Sequence, residues 1–362
     1  MSIPLVTCHS IDSTALLQSF TPAAVMVYTD IQTLRGLWTP LDYGSGVEYA
    51  EGLVASLFQN EHVGLQIGLW LNGTTGCQDI VTGVLDKQVK DLVHYLQSTQ
   101  ATKVFLRVGY EFDNPAFGYD DPTLFQQAYQ YIYQACHDNT QCASKTLFVW
   151  HSWAAPKQFS LESFYPGDKV VDWIGVSVFQ QVYSHQNLQN SEFTGGSTLN
   201  EMKEVLEFAV AHGKPIMIAE STPFGGITND WSHWFQPTMD LINDYDIGMW
   251  SYINCDWDSQ PMWHNVGFGE SRLSTSQTIM EHWNEAVLQP SNRTFLLAGS
   301  LLLHCANPNN THFNWQKTLS IMTIRCLVLV AIGLLLGWWW SKRRRPPIHV
   351  VLRSGDNYES IH

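Results

Sequence analysis

Seven apolar runs dense in β-branched and aromatic residues recur along the first 260 residues, and the stretches between them carry helical periodicity. This alternation is the pattern of parallel strands joined by crossover helices, whose strands are covered on both faces. The runs are AAVMVYTD (23–30), VGLQIGLWL (63–71), KVFLRVGYEF (103–112), TLFVWHSW (146–153), VDWIGVSVF (171–179), KPIMIAES (214–221) and IGMWSYINCDW (247–257). Between them lie LDKQVKDLVHYLQST (85–99), PTLFQQAYQYIYQACHD (122–138) and TLNEMKEVLEFAVAHG (198–213), the last opening at Ser197 or Thr198 as a cap and closing at Gly213. A closed (β/α)₈ TIM barrel and a doubly wound open sheet both satisfy the alternation. The first run is followed by TDIQTLRG rather than a G-x-G-x-x-G turn, and no Walker sequence occurs, so the barrel is preferred. Only seven runs are visible. The first strand is therefore expected to be missing or atypical, because nothing upstream of Pro22 reads as one.

In such a barrel the C-terminal ends of the strands line the active site. Here they carry Tyr28 and Asp30, Trp70 and Asn72, Tyr110, Glu111 and Asp113, then His151 and Trp153. The later ends add Ser177 and Phe179, Glu220 and Ser221, and Trp250, Tyr252, Asn254, Asp256 and Trp257. Aromatic faces stack on the C–H patches of a sugar ring while carboxyls and amides bind its hydroxyls, so this inventory suits a polysaccharide. Glu111 and Glu220 each end an apolar run that aims a carboxylate into the mouth, and glycoside hydrolysis needs two carboxyl groups. Asp113 is an alternative acid or a hydroxyl ligand. His151 reads as a hydrogen-bonded support rather than a general base. Trp70, Trp153 and Trp257 are platforms or rim packing.

The segments FLRVGYEFDNPAFGY and KPIMIAESTPFG resemble the catalytic motifs of clan A glycoside hydrolases, most closely a family-26-like glycanase of the β-mannanase and β-glucanase type. The resemblance covers about residues 20–260. It implies that Glu111, after the fourth strand, is the acid/base, that Glu220, after the seventh, is the nucleophile, and that Arg107 orients them from below. It implies a retaining mechanism, Trp250 as an aromatic floor, and Tyr110 at a position where the family usually has His. The substrate-binding set is then Arg107, Tyr110, Asp113, Trp70, His151, Trp153, Trp250, Tyr252 and Trp257. Neither a cofactor nor a metal is expected, since the aspartates are not spaced as a calcium loop and no His/Cys cluster has zinc spacing. The competing reading is a non-catalytic carbohydrate-binding or adhesion protein on a degenerate barrel; a metal-dependent barrel hydrolase is a third.

Beyond the barrel region (1–289) and an apolar segment with a stalk (290–317), residues 318–340 form an apolar stretch long enough for a transmembrane helix, charged only at Arg325. Trp338, Trp339 and Trp340 occupy an aromatic-belt position, and Lys342 with Arg343, Arg344 and Arg345 opens a basic tail (341–362), which places the tail in the cytoplasm and the barrel outside or in a lumen. The formal charge is −14, and five of the 19 bases but only two of the 33 acids lie in that tail, so the remainder is strongly acidic and a nucleic-acid partner is disfavoured. Sequons at Asn72, Asn292 and Asn309 and an even number of cysteines before the apolar stretch agree with a lumenal body. Cys136 and Cys142 are the expected disulfide. The opening MSIPLVTCHSIDST has no signal-peptide character, which leads to the expectation of a further upstream segment.

Overall fold

The structure, a computed structural model, describes residues 5–8, 24–42, 47–57, 64–154, 159–179 and 199–288. These build an eight-stranded closed barrel whose strands are β1 (Leu5–Cys8), β2 (Ala24–Asp30), β3 (Gly64–Trp70), β4 (Val104–Val108), β5 (Thr146–Ser152), β6 (Trp173–Val178), β7 (Ile216–Ser221) and β8 (Met249–Ile253). Every neighbouring pair is parallel and follows chain order. All seven apolar runs contain a strand.

The expectation of a missing or atypical first strand is corrected in its first alternative: the strand is present and short. β1 closes the barrel, pairing Leu5 with Trp250 of β8 and Val6 with Ala24 of β2. With four residues and no apolar run of its own, it is defined by the two sheet edges that it joins. Two strands stop four residues short of the C-terminal ends of their runs, β4 at Val108 and β8 at Ile253, and the remaining residues lead into loops at the barrel mouth. Helices follow at Asp86–Ser98, Pro122–His137 and Leu199–Ala211, within a few residues of their expected bounds, while the helix Gly73–Val81 carries too little apolar periodicity to be read from sequence. Pro122–His137 starts as its sequence dictates, with Pro122 in the first turn and the Asp121 carboxylate accepting from the Leu124 backbone N–H at 3.0 Å. Its end is tied by the Cys136–Cys142 disulfide, with the expected partners. The caps at Ser197 or Thr198 lie outside the described residues.

Strand pleating sorts side chains into two layers. Leu65, Ile67 and Leu69 of β3, Leu106 and Val108 of β4 and Ile174 and Val176 of β6 point outward into the cluster shared with the helices. Met26, Phe105, Val149, Met217, Ala219, Met249 and Ile253 fill the interior, capped at the mouth by Cys255, Trp257 and Phe268.

This parity corrects two site assignments. Trp250 and Tyr252 alternate with inward Met249 and Ile253, so both face the helical layer, are fully buried, and stack near Trp283 at 5.3 and 5.5 Å. The Trp250 indole donates to Ser221 Oγ at 2.9 Å and the Tyr252 hydroxyl to the Ser271 carbonyl at 2.7 Å. Neither is a platform for a ligand. Among the described residues no helix is long and apolar enough to cross a membrane; the stretch 318–340, the basic tail, Asn292 and Asn309 lie outside them.

Candidate active site

The interior layer at the mouth is built from one polar residue per strand. Arg107 is the last inward residue of β4, His151 lies near the end of β5 two residues beyond the partner of Arg107, and Ser177 of β6 pairs with Glu220 of β7. Arg107, His151 and Ser177 are fully buried, and Glu220 and Glu111 are 7% and 5% exposed. A guanidinium in such a place must be paired. One Arg107 Nη1 hydrogen bond goes to Glu220 Oε1 and another, at 3.3 Å, to His151 Nδ1, while Nη2 meets the Met26 sulfur at 3.1 Å. The Tyr28 and Tyr110 rings flank the cation, with centroids 5.2 and 5.3 Å from Arg107 Cζ. Burial works against the Arg107 charge, but Glu220 and the Tyr28 hydroxyl more than offset it and raise the guanidinium above its ordinary range.

Glu220 faces inward because of a bulge. Val176 pairs with Ile218 but the next residue, Ser177, pairs with Glu220, leaving Ala219 as an extra residue on β7. Regular alternation would turn Glu220 outward after inward Ala219; the bulge turns both to the interior, a use of bulges common beside active sites. The bulge's free carbonyl is not orphaned, since Gln66 Nε2 donates to Ala219 O at 2.7 Å and Ser251 Oγ holds Gln66 Oε1 at 2.9 Å.

Glu111 follows β4 through left-handed backbone at Gly109 (φ 58°) and at Glu111 itself (φ 52°). At Gly109 a Cβ would lie 2.4 Å from the Phe125 ring, so only glycine fits. Positive φ at a glutamate is a local strain of about 1 kcal/mol that the surrounding contacts must hold. Both carboxylate oxygens accept hydrogen bonds, Oε1 from Ser177 Oγ at 2.5 Å and Oε2 from Asn114 Nδ2 at 3.0 Å. The amide orientation of Asn114 is fixed because its Oδ1 accepts from the Ala116 backbone N–H at 3.1 Å, capping the short turn Pro115–Phe117. Burial, and then the negative charge of Glu220, push the Glu111 carboxyl up to about 8 despite these two donors. His151 is driven the other way, well below the usual imidazole range, by burial and by Arg107.

The remaining residues named from sequence separate into distinct roles. Asp113 accepts from Ser152 Oγ at 2.5 Å and from the Trp153 backbone N–H at 2.6 Å, stapling the loop after β4 to the end of β5. Trp70 is half-buried beside Phe117 at 6.5 Å, and Phe117 in turn meets Tyr110 at 5.0 Å. Trp257 packs with Trp263 and Phe268 at 5.6 and 5.0 Å, giving the mouth its aromatic wall. Trp153 is 8% exposed at the end of β5. Asn72 starts the helix after β3 in left-handed backbone, and the Thr74 hydroxyl of its sequon donates to the Gly118 carbonyl and accepts from the Asp120 N–H. Sequence reading placed Tyr28 and Ser177 at strand ends but gave them no function, and overlooked Asn114 and Gly68. Gly68 shows the tightness of the layer, because a Cβ there would lie 2.7 Å from the Tyr28 ring and 2.9 Å from Arg107 Nη2. Gly68→Ala is expected to destabilise the fold by about 1–3 kcal/mol through overpacking. It should also displace Arg107, and a thermal melt indistinguishable from wild type would contradict this.

In chemical terms the site holds two buried carboxyls: Glu220, paired with a guanidinium, and Glu111, whose proton affinity is raised by burial and by the charge of Glu220. A family model for glycosyl hydrolase family 26 matches residues 64–257, from β3 through Trp257 and over more than half of the chain. The β-1,3-xylanase TXYA of a Vibrio species is 29% identical over 299 residues, covering 75% of this chain, and a β-1,3-xylanase of an Alcaligenes species is 27% identical over 310 residues, covering 78%. The chain spans only 60% and 62% of the length of these two relatives. The fold is shared with the β-mannanase BoMan26A of Bacteroides ovatus at a TM-score of 0.58, with 12% identity and coverage of 81% of this chain and 90% of that one. An endo-β-1,4-mannanase of Cellulomonas fimi gives 0.54, at 14% identity over 81% of this chain and 72% of that one. The matched segment contains both glutamates, the bulge that aims one and the loop that holds the other: the chain belongs to glycosyl hydrolase family 26.

Proposed function

We propose that this chain is a retaining glycoside hydrolase acting on a β-linked polysaccharide, with Glu220 as nucleophile and Glu111 as acid/base. The observation that carries the reading is the asymmetry between two buried carboxyls: Glu220 is bound to the Arg107 guanidinium, whereas Glu111 is held by Ser177 and Asn114 with no paired cation among the described residues, and burial beside Glu220 pushes its carboxyl up to about 8. Glu220 attacks the anomeric carbon while Glu111 gives its proton to the glycosidic oxygen, so the C–O bond breaks and a glycosyl ester forms on Glu220. Glu111, now a base, takes a proton from water; the water oxygen attacks the same carbon, the ester bond breaks, and the sugar leaves with its original configuration. Half-buried Trp70 offers a ring face for the sugar. The identity to two β-1,3-xylanases makes β-1,3-xylan the first substrate to test, ahead of β-mannan and β-glucan. Residues 318–340 are proposed to anchor the chain as a single-pass membrane protein with the barrel outside or in a lumen, resting on their length and the basic residues that follow.

The test incubates the full chain and its Glu220→Ala variant with β-1,3-xylan, β-1,4-xylan, β-mannan, mixed-linkage β-glucan and β-1,3-glucan, measuring released reducing ends. Cleavage of one or more glycans by wild type alone is expected. Equal binding of a glycan by both proteins, with no release by either, would replace this reading with that of a carbohydrate-binding protein.

A further inference from the structure

The glutamates are joined by an unbroken buried path. From Glu220 Oε1 it runs to Arg107 Nη1, on to His151 Nδ1 at 3.3 Å, through the ring to Nε2, then to Ser177 Oγ at 3.0 Å and to Glu111 Oε1 at 2.5 Å. The direction of every bond in it follows from chemistry. A guanidinium only donates, so His151 Nδ1 accepts. A neutral imidazole accepting at Nδ1 carries its proton on Nε2, which then donates to Ser177 Oγ. The serine has one proton, and with its oxygen already accepting from His151 that proton goes to Glu111 Oε1.

We propose that Ser177 is a positioning residue for the acid: oriented by Arg107 through His151, its hydroxyl donates to Glu111 Oε1 and leaves Oε2 as the oxygen that carries and delivers the proton. The proposal rests on the catalytic reading above and adds which oxygen acts and what selects it. The Asn114 amide contact at Oε2 uses one lone pair of that oxygen and leaves the other for the proton. The groups that face Glu111 are Ser177 from β6, Glu220 from β7, and Asp113 and Asn114 from its own loop, with His151 of β5 and Arg107 of β4 one and two bonds behind Ser177. Among them Glu220 and Asp113 favour the protonated carboxyl, whereas the Ser177 and Asn114 donors favour the charged one. Room for the path is supplied by Gly175, where a Cβ would lie 3.3 Å from the His151 ring and 3.0 Å from the Ala219 side chain.

The test uses the full chain with ¹³C-carboxyl glutamate and ¹⁵N histidine labels, assigning Glu111 by Glu111→Gln and His151 by His151→Gln. His151 is expected as the Nε2–H tautomer without titrating between about pH 5 and about pH 9. Ser177→Ala removes a donor to the charged form, so the Glu111 midpoint should rise, and with it the alkaline limb of the activity profile, while Ser177→Thr restores both. On a polysaccharide, kcat for Ser177→Ala should fall at least about tenfold, with KM within about twofold, because the acid rather than substrate binding is impaired. A merely structural serine would lower the melting temperature and leave the limb in place. An Nδ1–H tautomer, a His151 titrating near neutral pH, or an unmoved Glu111 midpoint in Ser177→Ala would overturn the proposal. These spectra decide it even if no glycan is cleaved, which would sink the catalytic reading. An active wild type, an inert Glu220→Ala and an unaltered Ser177→Ala would sink the path alone.

Discussion

Glu220→Ala is expected to lower kcat on a cleaved polysaccharide by roughly 10⁴-fold or more, because it removes the carboxylate proposed to form the glycosyl ester. Glu111→Ala should behave differently. Loss of a general acid costs roughly 10² to 10⁴ where the leaving oxygen must be protonated, and far less with an aryl glycoside whose phenolate departs unaided. The ratio of the two variants on polysaccharide and on aryl glycoside therefore separates the roles. Wild-type rates in both would refute the assignment, and a reversed leaving-group pattern would exchange the two glutamates. For the wild type, the raised Glu111 carboxyl has a further consequence. Activity requires its protonated form, so the rate on polysaccharide should fall as pH rises through about 8.

The second large effect belongs to Arg107. Arg107→Met retains bulk and removes the charge, leaving the Glu220 carboxylate buried beside an apolar side chain. Breaking one side of a buried pair costs about 3–5 kcal/mol, which for a domain of this size lowers the melting temperature on the order of 10 °C. The loss comes mainly from the stranded carboxylate, so the double variant Arg107→Met with Glu220→Gln should recover part of it. Arg107→Lys should not rescue. A single ammonium cannot reach Glu220, His151 and Met26 at once or lie between the Tyr28 and Tyr110 rings as a planar cation does. A melting temperature for Arg107→Met within about 2 °C of wild type would show that the pair contributes little to stability.

The placement of Glu111 and Glu220 at the barrel mouth was legible because each comes at the end of a strand-like run, and a chain leaving a buried parallel strand surfaces at the C-terminal end of the barrel. Seven of eight strands were legible for the same reason. The Cys136–Cys142 pair was readable because only a short loop separates two cysteines at helix ends. The misassignment of Trp250 and Tyr252 shows where this kind of reading fails. A strand apolar on both faces, such as MWSYI, carries no alternation to say which side is interior, and here the tryptophan and tyrosine fell outward.

Local pattern alone determined that this chain alternates strands and helices, where most of them lie, and that Glu111 and Glu220 come at or just beyond the C-terminal ends of two strands. Only the tertiary structure decided the rest. β1 is a strand because residues more than 240 positions away offer it an edge, and Glu220 is inward because one extra residue on β7 shifts the pleat. Ser177 acquires its place next to Glu111 from a hydrogen bond spanning 66 residues. Periodicity records the average environment of a segment, whereas strand closure, register and a directed hydrogen-bond path depend on partners far apart in the chain.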